Sequence, residues 1–437
     1  MAGPTTLPAV AGVLLALAPT PITDQALRAE IDRLAAAVSG ARHLPFHGPL
    51  PARPVGREAL RAEIGATVAS GMSDASARAE GRLLGRLGLL PKEADYERLL
   101  ADKYAGASVP SYDPTTRRLS VPDFVPLEAQ AIPLAHEVAH AVADQRFGIR
   151  RLLQIQPDGS HRLDGDAERA RLALVEGDAT LAALEIADPT ESFLDHSTLA
   201  ALDANLRGEA GATRAPLWFV AVDRFEHVDG LEFVAHVRAR RPWSAVDALW
   251  SDPPASSAEV LHPERYEACV APIAVGEDLL PTLPGAGRPQ ASGVLGELVV
   301  RTWLAARLPP EIAARAAAGW AGDRAGIYAP PPPQPGPDAG APPPAAEPFA
   351  WLTIWDDGAE AEDFERAAIA AGVHTVARRA EAVGMLLGVH EPEATPVLAA
   401  MLETWHRQEA AARKAAAKSR KGAHPSCARG DHTAHER

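Results

Sequence analysis

The chain has 437 residues, of which 47% are hydrophobic, enough apolar material for a sizeable core and for more than one domain or lobe. Its 43 Lys and Arg against 57 Asp and Glu leave a formal charge of −14, which argues against a general nucleic-acid or anionic-membrane binder, since those carry an excess of cations on at least one face. Two cysteines, Cys269 and Cys427, allow at most one disulfide and exclude a disulfide scaffold.

The first 18 residues read as a signal peptide. The apolar run from Leu7 to Ala18 is too short to span a membrane comfortably, and Ala16 and Ala18 give it an A-x-A ending. Against this, no Lys or Arg precedes the run and Pro19 would follow the cleavage point, so an apolar N-terminal helix or a disordered leader is the alternative. Export to the periplasm or medium is expected if the leader is cleaved, and a cytoplasmic location otherwise; no later segment reads as a membrane span.

Residues 19–104 form an Ala/Leu/Arg-rich helical region interrupted by the Pro-rich piece "HLPFHGPLPARPVG". Residues 105–285 open with two short β-like runs around "YDPTT", where Asp113 and Pro114 supply turn chemistry for a hairpin. Pro133 then leads into a helix containing "HEVAH", and helices follow at 166–187 and around "LEFVAHVRARRPWSAVDALW". The stretch "SDPPASSAEVLHPERY" runs from a loop into a short helix.

Residues 286–407 change texture, giving strands and helices in the order ββαββα with a Pro-rich insertion at 329–348. In "GWAGDRAGIY" the glycines read as a turn entering a strand, with Trp320 packed and Asp323 paired to Arg324. Residues 408–437 read as a basic, disordered tail; its His424, Cys427, His432 and His435 have a metal-binding spacing, or are simply part of an unstructured terminus. The expected fold class is therefore α+β, mainly helical.

The chemistry concentrates at His136, Glu137 and His140. Positions i and i+4 share one helical face, so both imidazoles can converge on one ion, while Glu137 projects beside them. A catalytic zinc needs three protein ligands and an open position for water, whose proton a neighbouring carboxylate can take. H-E-x-x-H supplies two ligands and the base, and the third ligand decides. Glu176, in "LVEGDAT" on a second predicted helix, stands 36 positions after His140. Two antiparallel helices would bring a carboxylate there, and no histidine follows at the short H-E-x-x-H-x-x-G-x-x-H spacing.

On these residues the chain resembles the gluzincin group of zinc metallopeptidases, with H-E-x-x-H followed by a glutamate on a later helix. More narrowly, "HEVAHAVADQRFG", "ALVEGDAT", "DPPASSAEVLHPERY" and "AAGWAGDRAGIY" are similar to motifs of a group of bacterial predicted zinc peptidases, across roughly residues 105–390. The resemblance implies a zincin-like catalytic lobe with a small strand element, one zinc ion per chain, and a peptide or protein substrate. It implies His136, His140 and Glu176 as metal ligands and Glu137 as general base. Asp144 and Asp178 are candidates to accept the outer ring N–H of a ligand histidine. Asp178 lies two beyond Glu176, whereas thermolysin-like enzymes have an aspartate four beyond, where this chain has Thr180.

A donor for the developing oxyanion is also required. His262 is favoured, with Tyr266, Tyr112 and His227 as further candidates; His227 stands where similar sequences would have tyrosine. His262 and Tyr266 could equally cap the loop after two prolines. Two other functions stay open: a zincin-fold binding protein without hydrolysis, and a zinc amidase acting on a non-peptide amide.

Overall fold

The computed structural model describes residues 22–72, 75–91, 95–105, 109–156, 160–187, 199–206, 215–239, 241–330 and 346–419. The expected leader, most of the Pro-rich insertion and the histidine-bearing end of the tail lie outside them. The chain divides into two compact units, one of Met1–Arg78 with Glu93–Ala255 and the other of Ala79–Lys92 with Ser256–Arg437. The division falls at 255, not at the expected 285, and the N-terminal helical region is shared between the two units instead of standing alone.

In the first unit, α1 (Asp24–Arg42) is capped by Thr23, whose hydroxyl accepts the Ala26 N–H, and it buries Leu27, Ile31, Leu34, Ala35 and Val38 at helical spacing. The strand β1 (Ala52–Val55) precedes α2 (Arg57–Met72), α3 (Ala75–Arg86, which runs on past the unit boundary) and α4 (Tyr96–Ala105). The expected hairpin is present as β2 (Ser111–Asp113) and β3 (Arg118–Pro122). Its turn is built by the Asp113 carboxylate, which accepts the Thr115 N–H and the Thr116 hydroxyl, both at 2.7 Å.

The sheet order is β1-β3-β2, with β1 parallel to β3. Strand β1 lies inside the stretch read as a Pro-rich interruption. A proline in a strand argues against a central position, and Pro54 is accommodated because β1 is an edge.

Helix α5 (Ala131–Phe147) carries Pro133 in its first turn, where a missing N–H costs no hydrogen bond. The short α6 (Ile149–Leu152) follows, then α7 (Gly165–Ala187). Both α5 and α7 are buried on nearly every face, as expected of helices without a polar stripe. A third layer comprises α8 (Leu217–Arg224), a π-helical turn (Phe225–Asp229) and α9 (Gly230–Arg238), followed by α10 (Trp243–Leu249). Helix α9 meets α7 glycine to glycine. A Cβ on Gly177 would stand 2.2 Å from the Gly230 carbonyl oxygen, and a Cβ on Gly230 would stand 2.3 Å from that of Ala173.

The first unit is bolted by Arg42 at the end of α1. Its buried guanidinium donates to Asp178 on α7 at 2.8 Å and to Asp247 on α10 at 3.0 Å, and lies 4.1 Å from the Trp243 ring centre. Trp250 Nε1 donates to the same Asp178 oxygen at 2.8 Å.

The second unit contains α11 (Ser257–Leu261), α12 (Pro263–Glu267), β4 (Ala291–Gly293), α13 (Gly296–Ala305) and α14 (Pro310–Ala317). The ββαββα series follows as β5 (Trp320–Ile327), β6 (Phe349–Trp355), α15 (Gly358–Ala370), β7 (Val376–Arg379), β8 (Ala382–Leu387) and α16 (Glu391–Ser419). The strands form one antiparallel sheet in the order β4-β5-β6-β8-β7. Helix α16 packs Leu398, Met401, Leu402 and Trp405 onto Leu352, Ile354 and Leu386.

Two expectations are corrected here. "WAGDRAGI" is the strand itself, and Asp323 accepts the Leu295 N–H and Trp351 Nε1 while Arg324 donates to the Val275 carbonyl. The residues from 408 onward continue α16 to Ser419, as the alanine-rich "AAARKAAAKS" favours. The α+β, mainly helical class is as expected, and no helix among the described residues is long and apolar enough to cross a membrane.

Removing Arg42 strands the buried Asp178 carboxylate. Arg42→Ala is expected to destabilise the protein by about 3–5 kcal/mol, read as a lower urea midpoint, and Arg42→Lys to recover only part of that because lysine lacks the fork that reaches two carboxylates.

Candidate metal centre

The i, i+4 spacing on α5 brings the His136 and His140 rings together edge to face, with centroids 4.4 Å apart and Nε2 atoms 2.8 Å apart. Helix α7, crossing behind α5, delivers Glu176, whose Oε2 lies 3.1 Å from His136 Nε2 and 3.5 Å from His140 Nε2. The π turn adds His227, whose Nδ1 lies 3.5 Å from the same Glu176 oxygen. All four side chains are buried, His227 being the least so at 5% exposed.

Glu137 sits beside them. It forms with His136 and His140 a buried set in which one ligand atom from each lies within 4.8 Å of the others. The Tyr112 backbone N–H donates to Glu137 Oε2 at 2.7 Å, so strand β2 fixes the orientation of this carboxylate.

Electrostatics suit a cation. Burial lowers the His136 pKa to about 3, the charge of His140 adding to the effect, so the ring is neutral at physiological pH. Burial alone would raise Glu176, but His140, His136 and His227 outweigh it and hold the carboxyl well below its ordinary value. Burial also holds His227 low. Imidazole nitrogens and an ionised carboxylate aimed at one point are the donor types a divalent ion takes. Two donors about 2.1 Å from a shared ion stand about 3.4 Å apart at a tetrahedral angle, and the observed 2.8, 3.1 and 3.5 Å bracket that spacing. The residues fit a metal ion.

The two aspartates expected behind the ligand histidines are engaged elsewhere. Asp178 belongs to the Arg42 and Trp250 bolt. Asp144 accepts the Tyr112 hydroxyl at 2.8 Å and the Ile149 N–H at 2.7 Å, and pairs with Arg117. Tyr112, expected as a possible oxyanion donor, therefore spends its hydroxyl on Asp144, and burial beside that carboxylate pushes its pKa far up. The contact to the outer nitrogen of His136 comes instead from Thr180, its hydroxyl 3.4 Å from Nδ1. Thr180 occupies the position four beyond Glu176, one helical turn along the same face.

His262 and Tyr266 belong to the second unit. There His262 Nε2 lies 2.8 Å from Oε1 of the buried Glu297 on α13, and Tyr266 is buried on α12. Glu297 carries no motif and escapes sequence reading. So does Glu226, next to His227, whose carboxyl burial pushes up to about 8. A second group of ligating side chains, Glu381, His406 and Glu409, lies half-buried in the second unit.

Two expectations follow. Gly177→Ala forces α7 and α9 apart, and should cost about 1–3 kcal/mol in a denaturation curve and weaken metal uptake, because Glu176 is the adjacent residue. The second concerns pH. The hydrogen bond to Glu297 raises His262 above 6.5, and burial raises Glu297 above 4.5, so both hold protons more firmly in the folded state. Their contribution to stability is therefore complete in acid and is lost as pH rises through the folded values. His262→Gln should flatten the decline of melting temperature above pH 6.5 relative to the parent.

Residues 282–417 match a family described as a domain of unknown function, DUF8575. A search of curated proteins gives no match. Among solved structures, the chain is similar to a protein from Chloroflexus aurantiacus provisionally described as a hydrolase with a novel fold. The likeness has 17% identity and a TM-score of 0.36, over 56% of this chain and 91% of that one, and at this level it carries no weight for fold or function.

Proposed function

We propose that this chain is a zinc-dependent hydrolase of peptide bonds, with His136, His140 and Glu176 holding the ion and Glu137 as general base. The reading rests on one observation: two imidazoles, an ionised carboxylate and a separately anchored glutamate converge in a buried site on α5 and α7. A bound zinc ion would supply Lewis acidity, lowering the pKa of water and polarising the scissile carbonyl.

Glu137 takes the proton of the attacking water as the oxygen adds to the carbonyl carbon. It then passes that proton to the amide nitrogen as the C–N bond breaks, leaving a carboxylic acid and an amine, between which the remaining water proton moves to give carboxylate and ammonium. The Tyr112 amide keeps Glu137 aimed through both transfers. Burial around His136 keeps that ring unprotonated, so protons do not compete with the ion for it at neutral pH.

Purified protein is expected to hold about one zinc per chain by elemental analysis. Glu137→Gln should keep that metal while losing about 10²–10⁴-fold in hydrolysis of a diverse peptide library, the usual weight of a general base. Protein that takes up no metal, or a glutamine variant that cleaves as well as its parent, would overturn the assignment. Zinc binding with no cleavage by either form would favour a binding protein on this fold, and cleavage confined to peptidoglycan amides would favour an amidase.

A further inference from the structure

Resting on the metal reading above, we infer that His227 is a fourth protein ligand of the centre, making the donor set three imidazoles and one carboxylate. Its Nδ1 is buried and has no hydrogen-bond partner among the described residues, which is rare for an interior imidazole nitrogen and calls for a specific explanation. That nitrogen lies 3.5 Å from Glu176 Oε2. This is the separation of two donors on one ion, and slightly long for a hydrogen bond. The His227 ring lies 6.2 Å from the His136 ring, tilted by 58°, so it enters the site from a different side than the two α5 histidines.

The backbone is shaped for this placement. Residues Phe225–Asp229 form a π turn between α8 and α9, closed by the Gly230 N–H on the Phe225 carbonyl. Such a turn inserts one residue into the helix and rotates the side chains on it relative to the flanking α-helical register, and π turns of this kind concentrate at functional sites. Two contacts hold it in place. Gly230, directly after the turn, touches the α7 backbone at Gly177, so neither helix can shift without a clash or a gap. Arg224, directly before it, donates to both oxygens of Asp229 at 2.6 Å and clamps its two ends together. Glu176 and His227 are thus neighbours by construction: one precedes the α7 glycine and the other lies three before the α9 glycine.

A fourth protein donor changes what the centre can do. It holds the ion more firmly than three donors, and leaves water to enter as a fifth ligand. Zinc tolerates that, as do cobalt and nickel.

The test uses the full chain, stripped with a chelator and reloaded with Zn²⁺ or Co²⁺. In the parent loaded with Co²⁺, the proton NMR spectrum should show three exchangeable, hyperfine-shifted imidazole N–H signals; two signals would remove His227 from the ion. His227→Ala should bind Zn²⁺ at least about 10-fold more weakly, with a changed Co²⁺ d–d spectrum that added imidazole restores. Unchanged affinity and spectrum in this variant would overturn the inference while leaving the three-ligand centre standing. A parent that binds neither ion would overturn both readings. Should His227→Ala fail to fold, the signal count in the parent still decides.

Discussion

Helices α7 and α9 approach so closely that no side chain fits between them at Gly177 and Gly230. Ordinary helix pairs stand 8–10 Å apart, and contact between backbones requires glycine on both partners. Glu176 precedes one of these glycines and the π turn precedes the other, so the packing of two helices also sets the geometry of the site. Helix α5, packed against α7, contributes His136 and His140. A larger residue at Gly177 or Gly230 would press the two backbones apart, because dense interiors pass strain on instead of absorbing it.

The same unit concentrates buried charge. Arg42, Asp178 and Glu176 lie within it almost without solvent, and Asp178 is two residues from Glu176 on α7. Interior charges persist only when paired, and the two acids are satisfied differently. Asp178 has a permanent cation and an indole N–H. Glu176 has three imidazoles, of which burial disfavours those of His136 and His227 as cations. The guanidinium completes one acid, whereas the other meets only imidazole nitrogens, His136 at 3.1 Å among them.

Much of this was legible in the sequence where a local rule and a long-range contact agree. The i, i+4 histidines, the α7 carboxylate, the "YDPTT" hairpin and the ββαββα series all rest on periodicity or turn chemistry, and all are present. The misses share a cause. Asp144 and Asp178 were placed by their distance along a helix from a ligand, but an acid bonds to whatever tertiary contact presents, here Tyr112 and Arg42. The π turn has no periodic signature, since five residues are too few to show one. Gly177 and Gly230 carry no sequence signal of their meeting, because a contact between backbones leaves no trace until both helices are placed. Strand β1 was hidden by its proline, which marks an edge as readily as a loop.

Strand β2 has three residues and lies at the margin of its sheet. Margins expose rows of amide and carbonyl groups that can recruit a strand from another chain. Here the middle residue, Tyr112, has given its amide to Glu137 and its hydroxyl to Asp144, both on α5. The strand is thereby tied down at its centre, and the amide it would need to bind a stray strand is occupied. The bond that aims the glutamate also satisfies this edge, so a substitution that frees Glu137 from Tyr112 leaves a buried amide without its acceptor as well as a misdirected base.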